Sequence, residues 1–284
     1  MNMRWQKMDD DYLQTLTFVA FDTETTGLWA PANRIVELGA IKFRLGVPTV
    51  ERFQALVNPQ RKIPAEVVRV HGITDTMVKD AETIEPVLKQ FGEFIGAESV
   101  LIAHNALFDI SFVGCELDRS GMPLFENPVL DTVDISRKYR PGLDSYSLLS
   151  LVQALGIGRD QNHRAADDAA MVWKVFSLIS EQFPFMKTDS DFRREFTIYH
   201  MSQWQGENKP LPEQYDDFNR AIEEGLAMHI DYAAHGRPVE SRTIRPLRIH
   251  VLRNAYYIAA FCERVQDERT FRLDRIRRFR LIRP

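Results

Sequence analysis

Two carboxylates one residue apart, Asp22 and Glu24 in FDTETTGL (21–28), follow directly on the apolar run TLTFVAF (15–21). In an extended strand, alternate side chains share a face, so the two acids converge. Held close together they repel, and one protonates unless a cation lies between them. A lone Asp-x-Glu usually just caps a strand end toward solvent. Here two further clusters accompany it. HNALFDI (104–110) puts Asp109 in the first turn of a predicted helix, after another apolar strand. HRAADDA (163–169) sets His163 five residues before Asp168, at a loop-to-helix boundary. Each acid alone reads as compensation of a helix dipole. Together they form a constellation of hard oxygen donors that suits Mg²⁺ or Mn²⁺ rather than zinc. An imidazole suits proton transfer at neutral pH.

The elements that must position these groups follow from periodicity. TLTFVAF, RIVELGAIKFRL (34–45) and TVERFQALV (49–57) read as three strands joined by short loops, hence an antiparallel meander. A helix is predicted from Pro86 to Gly96, then a short strand in SVLIAHN (99–105) and a helix from Ala106 to Ser120. NPVLDTVDISRKY (127–139), a Leu148–Leu155 helix and an Ala165–Phe183 helix complete an α/β domain with a mixed sheet. Alanines 165, 166, 169 and 170 allow that last helix to approach the sheet closely. After Pro184 the chain turns polar and is broken by Gly and Pro, as a helical connector and linker would be. From Asp216 a short helix is expected, in DFNRAIEEGL. Strands follow in MHIDYAAHGRPVE, with a turn expected at His235-Gly236-Arg237, and in RTIRPLRIHVL, AYYIAAFCERV and RTFRLDRIRRFRLI. The expected division is 1–185, a connector at 186–215, and a small β module at 216–284.

The chain has 284 residues, 44% of them hydrophobic and 27% charged, an ordinary globular balance. Two distant cysteines, Cys115 and Cys262, make neither a disulfide framework nor a zinc spacing and fit a reducing cytoplasm. The first residues lack the apolar core of a secretory signal, and no run approaches a membrane span, so no membrane partner is expected. The net charge of −4 is unevenly spread. From Gly236 onward there are 13 Arg, no Lys and five acids, a net of +8, which leaves −12 for residues 1–235. An acidic module is thus joined to a basic one that favours an anionic partner.

FDTETTGL, HNALFD and HRAADDA, in that order, resemble the three motifs of the DEDDh, or DnaQ-like, 3′–5′ exonucleases. The resemblance covers about residues 14–185, and VHGIT (70–74) and RIVELGAI also look like segments of that family. It implies a ribonuclease H-like fold. It also implies that Asp22, Glu24, Asp109 and Asp168 hold two divalent ions, Mg²⁺ or Mn²⁺, with His163 as general base. Thr25, Thr26 and the amides near Gly27 would hold the terminal sugar, Leu28 would wedge against the terminal base, and Asn105 and Phe108 would line the channel. His71 and His104 read as structural, Asp167 as a helix charge, and Asp131 and Asp134 belong to no motif of the family. MHIDY, the Arg242–Leu247 segment, AYYIAAFCE and RTFRLDRI resemble the WYL domain, a small Sm-like or SH3-like β-barrel that senses nucleic acids or nucleotides. Tyr256-Tyr257-Ile258 stands where Trp-Tyr-Leu gives that domain its name, so the naming motif is partly met. The ligand candidates there are Arg242, Tyr257, Arg269, Arg272 and Arg275, while Phe271, Leu273 and Ile276 are expected to pack.

These features predict a metal-dependent 3′–5′ exonuclease acting on single-stranded nucleic acid, with DNA as the expected substrate, and a C-terminal module that grips or senses nucleic acid. RNA trimming needs the same five residues and stays open. A ligand sensor with a vestigial nuclease domain is disfavoured by the intact set of acids and histidine. A replicative proofreading subunit is disfavoured because the β module stands where a polymerase-binding tail would lie. Oligomeric state is not legible in the sequence.

Overall fold

The apolar run that ends in the paired acids forms β1 (Phe18–Thr25), the middle strand of a five-stranded sheet. In this computed structural model the described residues are 11–158, 163–205, 211–233, 238–252 and 255–282. They belong to two units, Met1–Leu28 with Arg34–Ser202 and Trp29–Asn33 with Gln203–Pro284. The expected turn at residues 235–237 and the linker residues 206–210 lie outside the described residues.

In the first unit β1 is joined by β2 (Ile35–Phe43), β3 (Glu51–Leu56), β4 (Val100–Ala103) and β5 (Val129–Asp131), in the order β3-β2-β1-β4-β5. The first three strands form the expected antiparallel meander, and β4 and β5 pair in parallel. The helices are α1 (Tyr12–Thr15), α2 (Ala65–His71), α3 (Asp75–Val78), α4 (Ile84–Ile95), α5 (Leu107–Arg119), α6 (Thr132–Tyr139), α7 (Leu148–Ala154), α8 (Ala165–Ser180) and α9 (Asp189–Glu195). Short α2 and α3 were not expected; with seven and four residues they carry too little periodicity to be read from sequence.

Strand alternation assigns the two faces of β1. Phe18 and Ala20 share a core with Ala169, Val172 and Phe176 of α8. Phe21 faces the other way, its ring 6.0 Å from that of Phe91 in α4. By the same parity Asp22 and Glu24 lie on the α8 face and Thr23 on the α5 face. On β2, Ile41 and Phe43 join the α8 core, so Glu37 and Gly39 face α8 as well. Gly39 is needed there. A Cβ on it would lie 2.1 Å from Ala166 N and 2.3 Å from Ala165 C, so the start of α8 rests on bare backbone. The alanine-rich helix start and this glycine are two halves of one close contact.

Residues 186–202, expected as part of a connector, pack onto the first unit. Thr188 and Asp191 form a reciprocal capping box at the start of α9, and Phe192 and Phe196 enter the α8-side core.

The second unit has α10 (Asp216–Glu223) and strands β6 (Ala227–Tyr232), β7 (Glu240–Leu252), β8 (Ala255–Cys262), β9 (Asp267–Arg272) and β10 (Ile276–Ile282). The strand order is β10-β6-β7-β8-β9, antiparallel throughout. Phe218 and Ala221 of α10 pack on Met228, Ile230, Ile244, Ile258 and Phe271. Pro246 interrupts β7, and the pairing register with β8 shifts between Pro246 and Arg248, as expected where a residue cannot donate to the ladder. The expected barrel is an open sheet here: among the described residues β10 and β9 are its edges and do not pair.

Candidate active site

The acids converge at the C-terminal end of β1. Asp22 and Glu24 arrive from the strand, Asp109 from the first turn of α5, and Asp168 from the first turn of α8. Asp109 is buried, and its Oδ1 accepts from Thr23 N at 2.9 Å and Thr23 Oγ1 at 2.8 Å. Thr23 thus ties the α5 acid to the strand residue between the other two acids. Asp168 is buried, and His163 Nδ1 lies 3.9 Å from its Oδ2. One donor atom each from Glu24, His163 and Asp168 falls within 4.8 Å of the others, close enough to share an ion.

Burial and mutual repulsion set the electrostatics of the cluster. Burial pushes Asp22 well above the usual carboxylate range, with Asp109, Glu24, Asp168 and Glu37 adding to the rise. Glu24 is raised to about 8 by burial, then by Asp168, Glu37 and Asp109, against the opposing pull of Arg164. Asp109 is raised to about 7 by burial, although both Thr23 hydrogen bonds oppose it. Buried carboxyl groups that repel one another this strongly form a donor set whose charge divalent cations would balance.

The loop after Glu24 is fixed internally. Thr25 Oγ1 donates to Gly27 O at 2.7 Å, and Thr26 exchanges two bonds with Arg34, at 2.8 and 3.0 Å. Both threonine side chains are buried, so they shape the loop, and Leu28 at its tip is 86% exposed. A leucine left this bare is not core packing. Asn105 is exposed with a left-handed φ of 62°, and Phe108 is half-buried against Phe112, ring centroids 4.9 Å apart.

Several residues outside the motifs build this geometry. Asp131, at the end of β5, accepts from Asn105 N, Ala106 N and Val133 N at 2.8–3.1 Å. It holds the strained turn that launches α5 and Asp109. Glu37 lies directly across from Glu24 in the β1–β2 pairing and is fully buried. Burial pushes its carboxyl up, but Arg164, Gln54 and the Ala165 amide outweigh that and hold it below the usual range. Its signal was visible in RIVELGAI as an acid inside an otherwise apolar strand; Thr23 and Gly39 gave none, since their importance depends on what packs opposite. Asp167 pairs with Arg52 at 2.8 Å, and Asp134 accepts from Tyr199 OH at 2.6 Å. His104 Nδ1 bonds Thr132 Oγ1 at 2.9 Å, and burial lowers its pKa to about 4, so it stays neutral. His71 is buried, its Nδ1 accepting from Ile73 N.

A model of the exonuclease family matches residues 19–176, and one of the WYL domain matches residues 213–281. The chain belongs to the exonuclease family. The DNA polymerase III PolC-type of Clostridium perfringens is 36% identical over 198 residues, 70% of this chain and 13% of that protein. The PolC-type protein of Oceanobacillus iheyensis is 38% identical over 170 residues, 58% of this chain and 12% of its own length. The chain thus spans about an eighth of the curated relatives it matches. Among solved structures, the nuclease domain of 3′hExo, a DEDDh family member bound to rAMP, superposes with a TM-score of 0.55 at 16% identity, covering 67% of this chain and 98% of that one. The likeness shows a ribonuclease H-like fold for the exonuclease domain. Exonucleases of this DEDDh type use divalent metal ions, which the donor set of Asp22, Glu24, Asp109 and Asp168 fits.

In the WYL domain the five ligand candidates separate. Arg242 and Arg269 line one cavity of about 200 Å³, together with Tyr232, Glu240, Thr270 and Phe271. Arg242 Nη2 pairs with Glu240 at 2.6 Å, a carboxylate also held by Arg264 at 2.9 Å. Arg272 pairs with Asp274 at 2.8 Å and sits 6.0 Å from the centre of the Tyr257 ring. Arg275 lies in the turn before β10, where its carbonyl accepts from Ala233 N. Phe271, Leu273 and Ile276 are buried and pack as expected.

Proposed function

We propose that the protein is a metal-dependent 3′–5′ exonuclease that hydrolyses phosphodiester bonds at the 3′ end of single-stranded nucleic acid, with DNA as the substrate. The observation that carries this is the convergence of four acids at one end of the sheet, with strongly raised proton affinity at Asp22, Glu24 and Asp109. Two divalent cations, Mg²⁺ or Mn²⁺, held by Asp22, Glu24, Asp109 and Asp168, would supply Lewis-acid charge for an in-line displacement. The four carboxylates carry the −4 that two such ions balance. Thr23 keeps Asp109 in line with the strand acids. His163, with Nδ1 turned to Asp168, uses Nε2 to accept the proton of the attacking water. The exposed Leu28 wedges against the terminal base, on a loop that Thr25 and Thr26 hold rigid around Gly27. Asn105 and Phe108 border the channel.

The similarity to PolC-type DNA polymerases favours DNA over RNA. The basic second unit, read as an Sm- or SH3-like WYL module from about residue 216, binds or senses a nucleic-acid or nucleotide ligand, with Arg242 and Arg269 at the cavity and Arg272, Tyr257 and Arg275 as the further ligand candidates.

The experiment is degradation of 5′-labelled single-stranded DNA with Mg²⁺ or Mn²⁺, comparing the wild type with Asp22→Ala and running a matched RNA in parallel. A descending ladder on DNA that vanishes in the variant and with chelator is the expected result. No ladder on either nucleic acid from a folded protein refutes the activity, and a ladder on RNA alone reassigns the substrate.

A further inference from the structure

Of the five residues assigned to the reaction, His163 alone stands outside a strand or helix. Its backbone is left-handed, with φ of 48°, and its side chain is 44% exposed. Neither regular structure nor burial holds it, yet a general base must sit within hydrogen-bond reach of its proton. What holds it has to act through its neighbours.

The next two residues are gripped by one carboxylate. Glu37 accepts from Arg164 Nε at 3.0 and 3.2 Å and from Arg164 Nη2 at 2.5 Å. It also accepts from Ala165 N at 2.9 Å, and Gln54 Nε2 donates to it at 2.8 Å. Arg164 is the N-cap residue of α8 but makes no side-chain cap bond, so Glu37 supplies the cap from the neighbouring strand. An acid beside Glu24 adds to the repulsion in the metal site, and its placement there calls for a reason. Both of its oxygens are already saturated by four donors, so it is not a fifth metal ligand.

We propose that Glu37 and Arg164 are a positioning pair for His163: the carboxylate of β2 anchors the downstream end of the histidine loop and so fixes where the imidazole stands relative to Asp168. Gly39 and the Arg52–Asp167 pair hold the same helix start, which gives the anchor a rigid base. The inference rests on His163 acting as the base.

The test uses the full chain, with Arg164→Ala, the double variant Glu37→Gln/Arg164→Gln, and His163→Ala alongside. The double variant removes both charges of the pair, leaving neither unpaired, and covers the case in which Arg164→Ala does not fold. Displacing a positioning residue should lower kcat by roughly 10- to 100-fold, the usual cost of losing an outer partner of a reactive group. KM should stay at the wild-type value in both variants, and the Mn²⁺-induced rise in Tm should persist in the double variant, where the opposing charges of Glu37 and Arg164 near Glu24 are removed together and the four acids are untouched. Millimolar guanidinium ion, but not sodium, should restore part of the rate of Arg164→Ala by reoccupying the partly exposed slot beside Glu37, and should not rescue the double variant. If His163→Ala keeps the wild-type kcat, the base assignment falls and the pair's role with it. If His163→Ala loses rate while both other variants keep it, the positioning role alone is overturned. A loss of rate matched by a loss of the Mn²⁺ effect also overturns it, since the acids would then have moved instead.

Discussion

Replacing Gly39 by alanine should cripple the proposed nuclease activity through a single methyl group. The new Cβ would lie 2.1 Å from Ala166 N, 2.3 Å from Ala165 C and 2.5 Å from Ala166 Cα. All three are backbone atoms, so no side chain can rotate away. Ordinary contact begins at 3.4 Å, and restoring it requires the start of α8 to recede from β2 by roughly 1.3 Å. Asp22 is paired directly with Gly39, and Asp168 lies one turn into α8, so the displacement opens the cluster between those two acids. A misplacement of about 1 Å costs on the order of 100-fold in rate, and overpacking of this kind costs about 1–3 kcal/mol of stability. The assay is single-turnover release of the terminal nucleotide from a labelled oligonucleotide at saturating metal, with thermal unfolding in parallel. We expect a folded, less stable protein with about a hundredth of the wild-type rate constant. A folded variant with unchanged rate would refute the claim that the sheet–helix contact sets the spacing of the acids.

The remaining predictions address charge and hydrogen bonding. Glu24 and Asp109 bind protons up to about 8 and about 7 in the folded, metal-free chain but only near 4 when unfolded. The folded state therefore holds more protons, so the stability of the chelator-stripped protein should fall as pH rises from about 5 to 8. Millimolar Mg²⁺ or Mn²⁺ should raise Tm and flatten that slope; a melting curve indifferent to both pH and metal would count against the two-metal site. Thr23→Val removes one of two donors to buried Asp109 and should cost about 1 kcal/mol of stability together with a measurable drop in kcat. His163→Ala should lower kcat by roughly 10²–10⁴ while leaving the metal-induced Tm shift intact. Changing the exposed Arg277, Arg278 and Arg280 to Gln should make processing less salt-sensitive, lowering the log–log slope by about 0.7 for each single-strand phosphate no longer neutralised; an unchanged slope would remove these side chains from the nucleic-acid face.

The candidate groups can be read from the chain alone. Asp22, Glu24, Asp109, His163 and Asp168 are legible as candidates because three motifs that resemble one family's set them at strand and helix ends, and local periodicity places the ends. The meander, α5 and α8 are legible for the same reason: a strand or helix of eight or more residues states its own period. The C-terminal part of the chain stands out by charge, with 13 arginines in the last 49 residues. Tertiary structure decided what those parts rest on. Gly39, Thr23, Glu37 and Asp131 are ordinary residues until the fold brings α8, Asp109, Arg164 and the Asn105 turn against them. The β1–β2 register alone puts Glu37 beside Glu24 and Gly39 beside Asp22, and register is a property of pairing between distant segments. The open edges of the second sheet are decided in the same way. Strand periodicity says which residues alternate, but whether the edge strands β9 and β10 meet depends on how twist and the Pro246 irregularity accumulate across five strands.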